Sequence, residues 1–301
     1  RSIYGNSNVV AADISAEKCK ALAEAGPFEE LNALDGEGFS AIVKKYNIDT
    51  IFNLVALLSA TGEKNPKLAW DINIGALTNS LYIAKDNNCA VFTPSSIGAF
   101  GNDTPKDKTP QDTLQRSNTT IYGVCKVTGE LLSDYYFNRF GVDTRSVRFP
   151  GLISYVTLPG GGTTDYAVEI YYDAIRRGAF TCNVKAGTYM DMMYMPDALN
   201  AVVQLMEADP SRLKHRNSFN IAAMSFEPGQ IAAEIRKHLP DFKMDYQIDP
   251  VKQAIADSWP NSMDDSCARE EWGWKPEYNL QNMTVDMLVK VKEKFDKGLI
   301  K

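Results

Sequence analysis

The stretch TIFNLVALLSATGEKNPKLAWDINIGALTNSLYIAKDNNCAVFTPS, residues 50–95, decides the fold. It opens with a short apolar run, continues as a helical pattern over residues 67–87 and closes with a second apolar run. Two short buried strands joined by one helix predict a parallel β–α–β unit. Strand candidates at 9–13 and 143–149, with helical patterns at 37–46 and 121–140, extend the alternation. We therefore predict an α/β protein with a doubly wound parallel sheet.

The pattern of the sequence changes after Gly151. A glycine-rich loop is followed by short strand and helix patterns, and the chain closes with a long amphipathic helix. We predict that residues 1–155 form a Rossmann-like dinucleotide-binding domain. Residues 156–301 are predicted to interleave the end of the sheet with a smaller C-terminal substrate lobe.

Composition excludes several classes of partner. The chain has 301 residues and a formal net charge of −6, without basic clusters, so we expect no nucleic acid. No apolar run reaches the roughly 18 residues that span a bilayer, so we expect no membrane partner. The five cysteines are scattered and only two histidines occur, which predicts neither a disulfide framework nor a metal site. A small molecule is the expected partner.

Asp13 ends the first strand candidate and is followed by Ile14. An acidic residue at the end of the second strand of a dinucleotide fold accepts hydrogen bonds from ribose hydroxyls and repels a 2′-phosphate, which favours NAD over NADP. The alternative is a strand-end aspartate that only caps a loop. The glycine-rich turn that should come before it is absent from this sequence, and we expect that turn and the first strand to precede Arg1.

Tyr122 and Lys126 are four residues apart in IYGVCK and therefore face the same side of a helix. A nearby ammonium lowers the pKa of a phenol and makes it usable as a general base. Ser96, in FTPSSIGAFG, follows a buried strand and can hold a substrate oxygen. Tyrosine and lysine at this spacing are common without a function, but the three residues in this order on a doubly wound sheet predict a catalytic site.

These residues resemble the serine–tyrosine–lysine set of the extended short-chain dehydrogenases, which include UDP-sugar epimerases. DINIGALTNSLYIA, VRFPGLI, MDMMYMPDALNAVV and CAREEWGWKPEYNLQN resemble further motifs of that group, so the resemblance covers essentially the whole chain. Ile97 and Gly98 stand where its dehydratases carry an acid pair, and Pro150 stands where its epimerases usually carry asparagine. These departures favour a small substrate over a nucleotide sugar.

Three further stretches are similar to the short-chain type of NAD-dependent L-threonine 3-dehydrogenases: ALLSATGEKNP, PSSIGAFG, and RFPGLIS with PGGGTTDYA. This resemblance implies oxidation of the β-hydroxyl of L-threonine to L-2-amino-3-oxobutyrate with production of NADH, a step of threonine catabolism. Tyr122 would take the hydroxyl proton, Ser96 would hold the hydroxyl, and Lys126 would steady the phenolate and contact the nicotinamide ribose.

The resemblance also implies the binding residues. For NAD they are Asp13, Ile14, Leu34, Asp35, Leu54, Ala56, Asn73, Tyr122, Lys126 and Pro150. For the amino acid they are Ser59, Ser96, Tyr122, Gly162, Thr163, Thr164 and Trp272. The glycine–threonine loop could instead be a surface turn, and Trp272 a core anchor.

The resemblance further implies a homodimer that pairs the helices at 67–87 and 121–140. It places eukaryotic members in mitochondria and bacterial ones in the cytoplasm; any targeting peptide would precede Arg1. Two alternative functions remain open: a UDP-sugar epimerase that retains its NAD, and a non-catalytic NAD(P)-sensing regulator.

Overall fold

The computed structural model describes residues 1–113, 119–160 and 162–300, with the side chain of Ala60 excepted. The strands are β1 (Ala11–Asp13), β2 (Phe28–Glu30), β3 (Thr50–Phe52), β4 (Ala90–Phe92), β5 (Ser95–Ser96), β6 (Thr144–Arg145), β7 (Val147–Phe149), β8 (Gly151–Ile153), β9 (Ala179–Cys182), β10 (Met190–Tyr194), β11 (Phe219–Asn220), β12 (Met224–Phe226) and β13 (Lys243–Tyr246). The helices are α1 (Lys20–Glu24), α2 (Gly36–Tyr46), α3 (Ser59–Gly62), α4 (Pro66–Asn87), α5 (Ile121–Phe140), α6 (Tyr166–Arg177), α7 (Met195–Glu207), α8 (Pro228–Arg236), α9 (Pro250–Ser258), α10 (Ser266–Trp272) and α11 (Leu280–Asp296).

Parallel pairing dominates the sheet, as the β–α–β pattern predicts. β3 pairs with β4, β4 with β6, β5 with β7, and β7 with β11, all in parallel. β1 and β2 form a separate parallel pair. The predicted α/β, Rossmann-like fold is therefore confirmed.

The second half of the chain contributes to both predicted parts. β11 returns to the sheet beside β7, whereas β9 pairs with β13, and β10 joins β8 and β12. The only antiparallel pair among the described strands is β10 with β12. The division of the chain into a dinucleotide-binding domain and a substrate lobe, with its boundary at residue 155, stays a prediction.

The helices next to the strand ends begin and end where the sequence predicts. α5 begins where the Thr120 side chain accepts the N–H of Gly123 and ends at Gly141, whose φ of 72° suits glycine. α4 begins at the cap residue Asn65 and ends at Asn88. β2 was missed, because FEE offers one apolar residue and no alternation. No helix in the described part of the chain is long and apolar enough to cross a membrane.

Buried apolar side chains lie on both sides of the sheet and inside the lobe. Leu77, Leu81 and Val91 pack α4 against the sheet. Phe92 and Val147 belong to a second cluster that contains Trp272 and Trp274. A third cluster lies around α6, α8 and α11 and also contains Ile97, Phe100 and Ile153. The strand ends near residues 94–96 and 150 therefore rest on a packed scaffold.

Asp191 of β10 is a buried carboxyl that fastens the segment before α10 to the lobe. The backbone N–H of Met263 donates to its Oδ2 at 2.8 Å, and the side chain is 1% exposed. Burial raises the pKa of Asp191 to about 8, with a smaller raising contribution from the carboxylate of Asp265. The folded protein therefore keeps this proton where the unfolded chain has lost it.

This difference predicts a pH dependence of stability. The unfolded aspartate loses its proton near pH 4, so the free energy of unfolding should fall as pH rises from about 4 to about 8. Asp191→Asn removes this contribution, which amounts to at most about 1.4 kcal/mol per pH unit. Urea unfolding at pH 5.5 and 7.5 should show a smaller decline for the variant than for the wild type. Equal declines would show that Asp191 ionises normally.

Candidate active site

The start of α5 is held by two side chains from neighbouring segments. Besides the Thr120 cap, the carboxylate of Glu63, just after α3, accepts the backbone N–H of Ile121 at 2.7 Å. A Cβ added to Gly62 would lie 3.3 Å from Cγ2 of Ile121, so α3 packs closely against this end of the helix. The turn that carries Tyr122 is therefore fixed at its N-terminal end.

Lys126 lies over the ring of Tyr122, as the four-residue spacing predicts. Its Nζ is 5.3 Å from the ring centroid and donates to the carbonyl oxygen of Pro94 at 2.5 Å. Both side chains are half-buried. The bond to Pro94 ties the helix to the segment just before β5, and so sets the ammonium at the strand end.

Ser96 and Tyr122 lie on either side of Gly98. The Ser96 Oγ accepts the Gly98 N–H at 3.1 Å. A Cβ added to Gly98 would lie 3.3 Å from Cε1 of Tyr122 and 3.4 Å from the Ser96 Oγ. The serine hydroxyl and the phenol ring thus border the same small space. The structure brings the three predicted catalytic residues together.

Pro150 and Thr164 adjoin this cluster through the next strand. Ser96 is in register with Phe149, which precedes the buried Pro150. A Cβ added to Gly151 would collide with Sδ of Met192 and lie 2.7 Å from Cγ2 of Thr164. Because Gly151 has no side chain, the threonine loop can approach the end of the sheet closely.

Exposed apolar side chains mark the other strand ends. Ile14 is 73% exposed, Leu54 67% and Leu34 42%. Asp13 is exposed beside Ile14, and one of its oxygens accepts the N–H of Ser15. This combination of a carboxylate and apolar surfaces at neighbouring strand ends has the chemistry that an adenosine group requires.

Other predicted binding residues already have partners within the protein. Asn73 binds both backbone groups of Leu57, which fixes the loop that contains the half-buried Ala56. Asp35 caps α2 by accepting the N–H of Gly38. Ser59 is buried at the start of α3. Asn73 and Asp35 therefore shape loops, and their contact with a cofactor stays a prediction.

The predicted amino-acid loop is a single 3-10 turn, Thr163–Asp165. The Gly162 N–H donates to the carboxylate of Asp165, Thr163 is buried, and Thr164 is half-buried. Gly161 in the same loop lies outside the described residues. Trp272 is 8% exposed and packs against Phe219 and Trp274, with centroids 5.8 and 5.7 Å away. The structure places Trp272 in the core, as in the alternative interpretation.

One cluster of potential metal ligands went unnoticed in the sequence. Ligand atoms of His215, Cys267 and Glu271 lie within 4.8 Å of one another. One oxygen of Glu271 accepts the backbone N–H groups of Lys214 and His215, and the other contacts the His215 ring. Burial, followed by the charge of Glu271, raises the pKa of the Cys267 thiol, which favours its protonated form. Internal hydrogen bonds account for this cluster, and we assign no metal to it.

Sequence reasoning also missed residues that support the catalytic cluster. These are the Glu63 carboxylate, the Pro94 carbonyl and the buried pair Glu130–Arg148. Glu130 comes four residues after Lys126, so the helical spacing that identified Tyr122 and Lys126 could have identified it too.

The profile of the NAD dependent epimerase/dehydratase family matches residues 5–222. The chain belongs to this family. An epimerase/dehydratase of Staphylococcus haemolyticus, named as uncharacterized, is 58% identical over 294 residues, which are 98% of this chain and 92% of that protein.

Solved structures within the same fold are similarly close. An L-threonine dehydrogenase from Clostridium difficile is 56% identical, with a TM-score of 0.96, over 98% of this chain and 92% of that one. The holo form of a GalE-like L-threonine dehydrogenase from Cupriavidus necator is 46% identical, with a TM-score of 0.93, over 97% and 93%. The resemblance to L-threonine 3-dehydrogenases predicted from sequence motifs is confirmed.

Proposed function

We propose that the protein oxidises the β-hydroxyl of L-threonine to L-2-amino-3-oxobutyrate, with NAD as the cofactor. One observation carries the proposal: at the end of the sheet the Tyr122 ring lies beside the Ser96 hydroxyl, across Gly98, and the Lys126 ammonium lies 5.3 Å from the centre of that ring. This arrangement occurs in a chain whose similar structures include L-threonine dehydrogenases.

The strand ends fit the proposed cofactor. The exposed carboxylate of Asp13 can accept both hydroxyls of a ribose, and its charge disfavours a 2′-phosphate. Ile14, Leu34 and Leu54 offer exposed apolar surfaces to an adenine ring. When bound, NAD supplies the hydride acceptor for the carbon that bears the hydroxyl.

Each catalytic side chain has a separate task in this proposal. Tyr122 takes the proton of the substrate hydroxyl as a general base. The ammonium of Lys126, held over the ring by Pro94, stabilises the phenolate electrostatically. The Ser96 hydroxyl hydrogen-bonds the same substrate oxygen and orients it toward Tyr122.

A small zwitterion suits the remaining surface better than a nucleotide sugar. We propose that Ser59 and Thr164 lie near the amino-acid end, with Gly162 and Thr163 shaping the turn behind them. Pro150 and the close contact between Gly151 and Thr164 narrow the site at the sheet edge. Trp272 is not part of this proposed pocket, because its ring packs in the core.

Replacing Tyr122 by phenylalanine tests the general base. The Tyr122→Phe variant should lose on the order of 10²-fold or more in kcat, because the proton acceptor is removed while the ring remains. Tyr246→Phe, the same change at an exposed position of β13, is the matched control and should keep wild-type activity. NADH absorbance is followed with the full-length protein, NAD and L-threonine.

The same incubation, analysed for both NADH and an epimerised sugar, separates the dehydrogenase from the two alternative functions. A UDP-sugar with the protein and NAD should yield no epimer, and L-serine should react more slowly than L-threonine. An NAD-retaining epimerase would give epimer without net NADH, and a regulator would give neither product. Near wild-type oxidation by Tyr122→Phe would contradict the assigned role.

We also propose a homodimer built on α4 and α5. These helices pack against each other and expose Leu68, Trp70, Tyr82, Leu131, Tyr135 and Phe140, each at least 40%. A second copy of the chain would cover these side chains in a four-helix arrangement.

A charge on this face should separate the subunits. Leu131 is 63% exposed, so Leu131→Glu should leave the fold intact but bury a carboxylate in the interface. Light scattering after size-exclusion chromatography should give a dimer mass for the wild type and a monomer mass for this variant. Leu199→Glu, at a 60% exposed leucine on α7, should remain dimeric. A monomeric wild type would contradict the proposal.

The compartment is a smaller part of the proposal. The Staphylococcus and Clostridium proteins to which the chain is similar are bacterial. Of the two expected locations, we therefore propose the bacterial cytoplasm rather than the mitochondrion.

A further inference from the structure

We propose that Ser95 and Glu130 are positioning residues for the oxidation: the Glu130 carboxylate, through Ser95, fixes Ser96 relative to Tyr122 and Lys126. The inference rests on the proposed function for its kinetic consequences. Its structural part concerns the separation of Ser96 and Tyr122 and is independent of the substrate.

Glu130 extends the catalytic face of α5 by one turn. It follows Lys126 by four residues and Tyr122 by eight, and it is 4% exposed. Its Oε1 accepts the hydroxyl of Ser95, which is 5% exposed. A buried carboxylate on the tyrosine helix is thus bonded to the residue that directly precedes Ser96.

Arg148 forms an ion pair with the buried carboxylate and holds it in place. Its guanidinium donates to both oxygens of Glu130, with the shortest distance 2.9 Å from Nη2 to Oε2. Its Nη1 also donates to the backbone carbonyl of Gln111 and to the side chain of Asn220. A fully hydrogen-bonded ion pair of this kind has few alternative geometries.

The Glu130–Arg148 ion pair joins α5, β5 and β7. Arg148 is in register with Ser95 across β5 and β7, and Phe149 is in register with Ser96. Lys126 donates to Pro94, the residue before Ser95. Lys126 and Glu130 of α5 therefore bond to two consecutive residues, Pro94 and Ser95. These two bonds determine the position of the Ser96 hydroxyl.

If Ser95 and Glu130 had a merely structural role, their replacement would affect folding and would not lower kcat selectively while the KM stays unchanged. The positioning role predicts a lower kcat with little change in the KM for NAD, because most of the proposed cofactor residues, Asp13 and Ile14 among them, lie on other segments and are not bonded to Ser95 or Glu130. Small displacements of a catalytic group reduce the rate of the chemical step strongly, by up to roughly 10²-fold for about 1 Å.

Ser95→Ala tests the link with the smallest change. We expect kcat with L-threonine to fall on the order of 10-fold and the KM for NAD to stay within about twofold. Ser80→Ala is the matched control: Ser80 is fully buried on α4, and its hydroxyl bonds only to the Ala76 carbonyl among the described contacts. This control should keep the wild-type kcat.

Ser95→Thr should restore most of the activity, because it keeps the hydroxyl. Ser95, Lys126 and Glu130 line a common cavity of about 30 Å³. Should Ser95→Ala not fold, Ser95→Cys keeps a side chain at this position that is slightly larger and donates a weaker hydrogen bond, and a loss of kcat is again expected.

Crystal structures of the wild type, Ser95→Ala and Ser80→Ala supply the readout that needs no substrate. The distance from Ser96 Oγ to Tyr122 Oη should change in Ser95→Ala alone. An unchanged distance together with a kcat equal to that of Ser80→Ala would overturn the positioning role and leave the proposed function intact. A changed distance in a protein that does not oxidise threonine would overturn the proposed function alone.

Discussion

The contact of the Lys126 ammonium with the Pro94 carbonyl is the interaction on which the rest of the site depends. It holds a positive charge 5.3 Å from the centre of the Tyr122 ring, at the carboxyl end of the parallel sheet. A lysine on a free helix would extend into water to keep its hydration. Here the strand end supplies an acceptor that holds the ammonium beside the Tyr122 ring, where the proposed mechanism places it.

The surrounding fold serves to hold that arrangement. Thr120 and Glu63 satisfy backbone N–H groups at the start of α5, which fixes the first turn. Gly98 leaves room between the serine and the tyrosine, and Gly151 lets the threonine loop approach the sheet edge. Glycines at these two positions let side chains from separate segments approach the strand ends closely.

The sequence predicted the long helices beside the sheet and the polar residues that follow the strands. The interval of α5 was predicted from its helical pattern, and the structure shows Thr120 and Gly141 as its caps. Ser96, Tyr122 and Lys126 were placed by strand order and helical spacing. β2 was missed because Phe28–Glu30 has no alternation. The Glu130–Arg148 pair and the core position of Trp272 depend on contacts between distant segments, which local patterns do not encode.

The most direct test of the central claim is a crystal structure of the full-length protein with NADH and L-threonine bound together. We predict that the threonine hydroxyl lies within hydrogen-bond distance of both Ser96 Oγ and Tyr122 Oη, with Lys126 still bonded to Pro94. A threonine bound with its hydroxyl directed away from Tyr122, or bound elsewhere in the protein, would contradict the account.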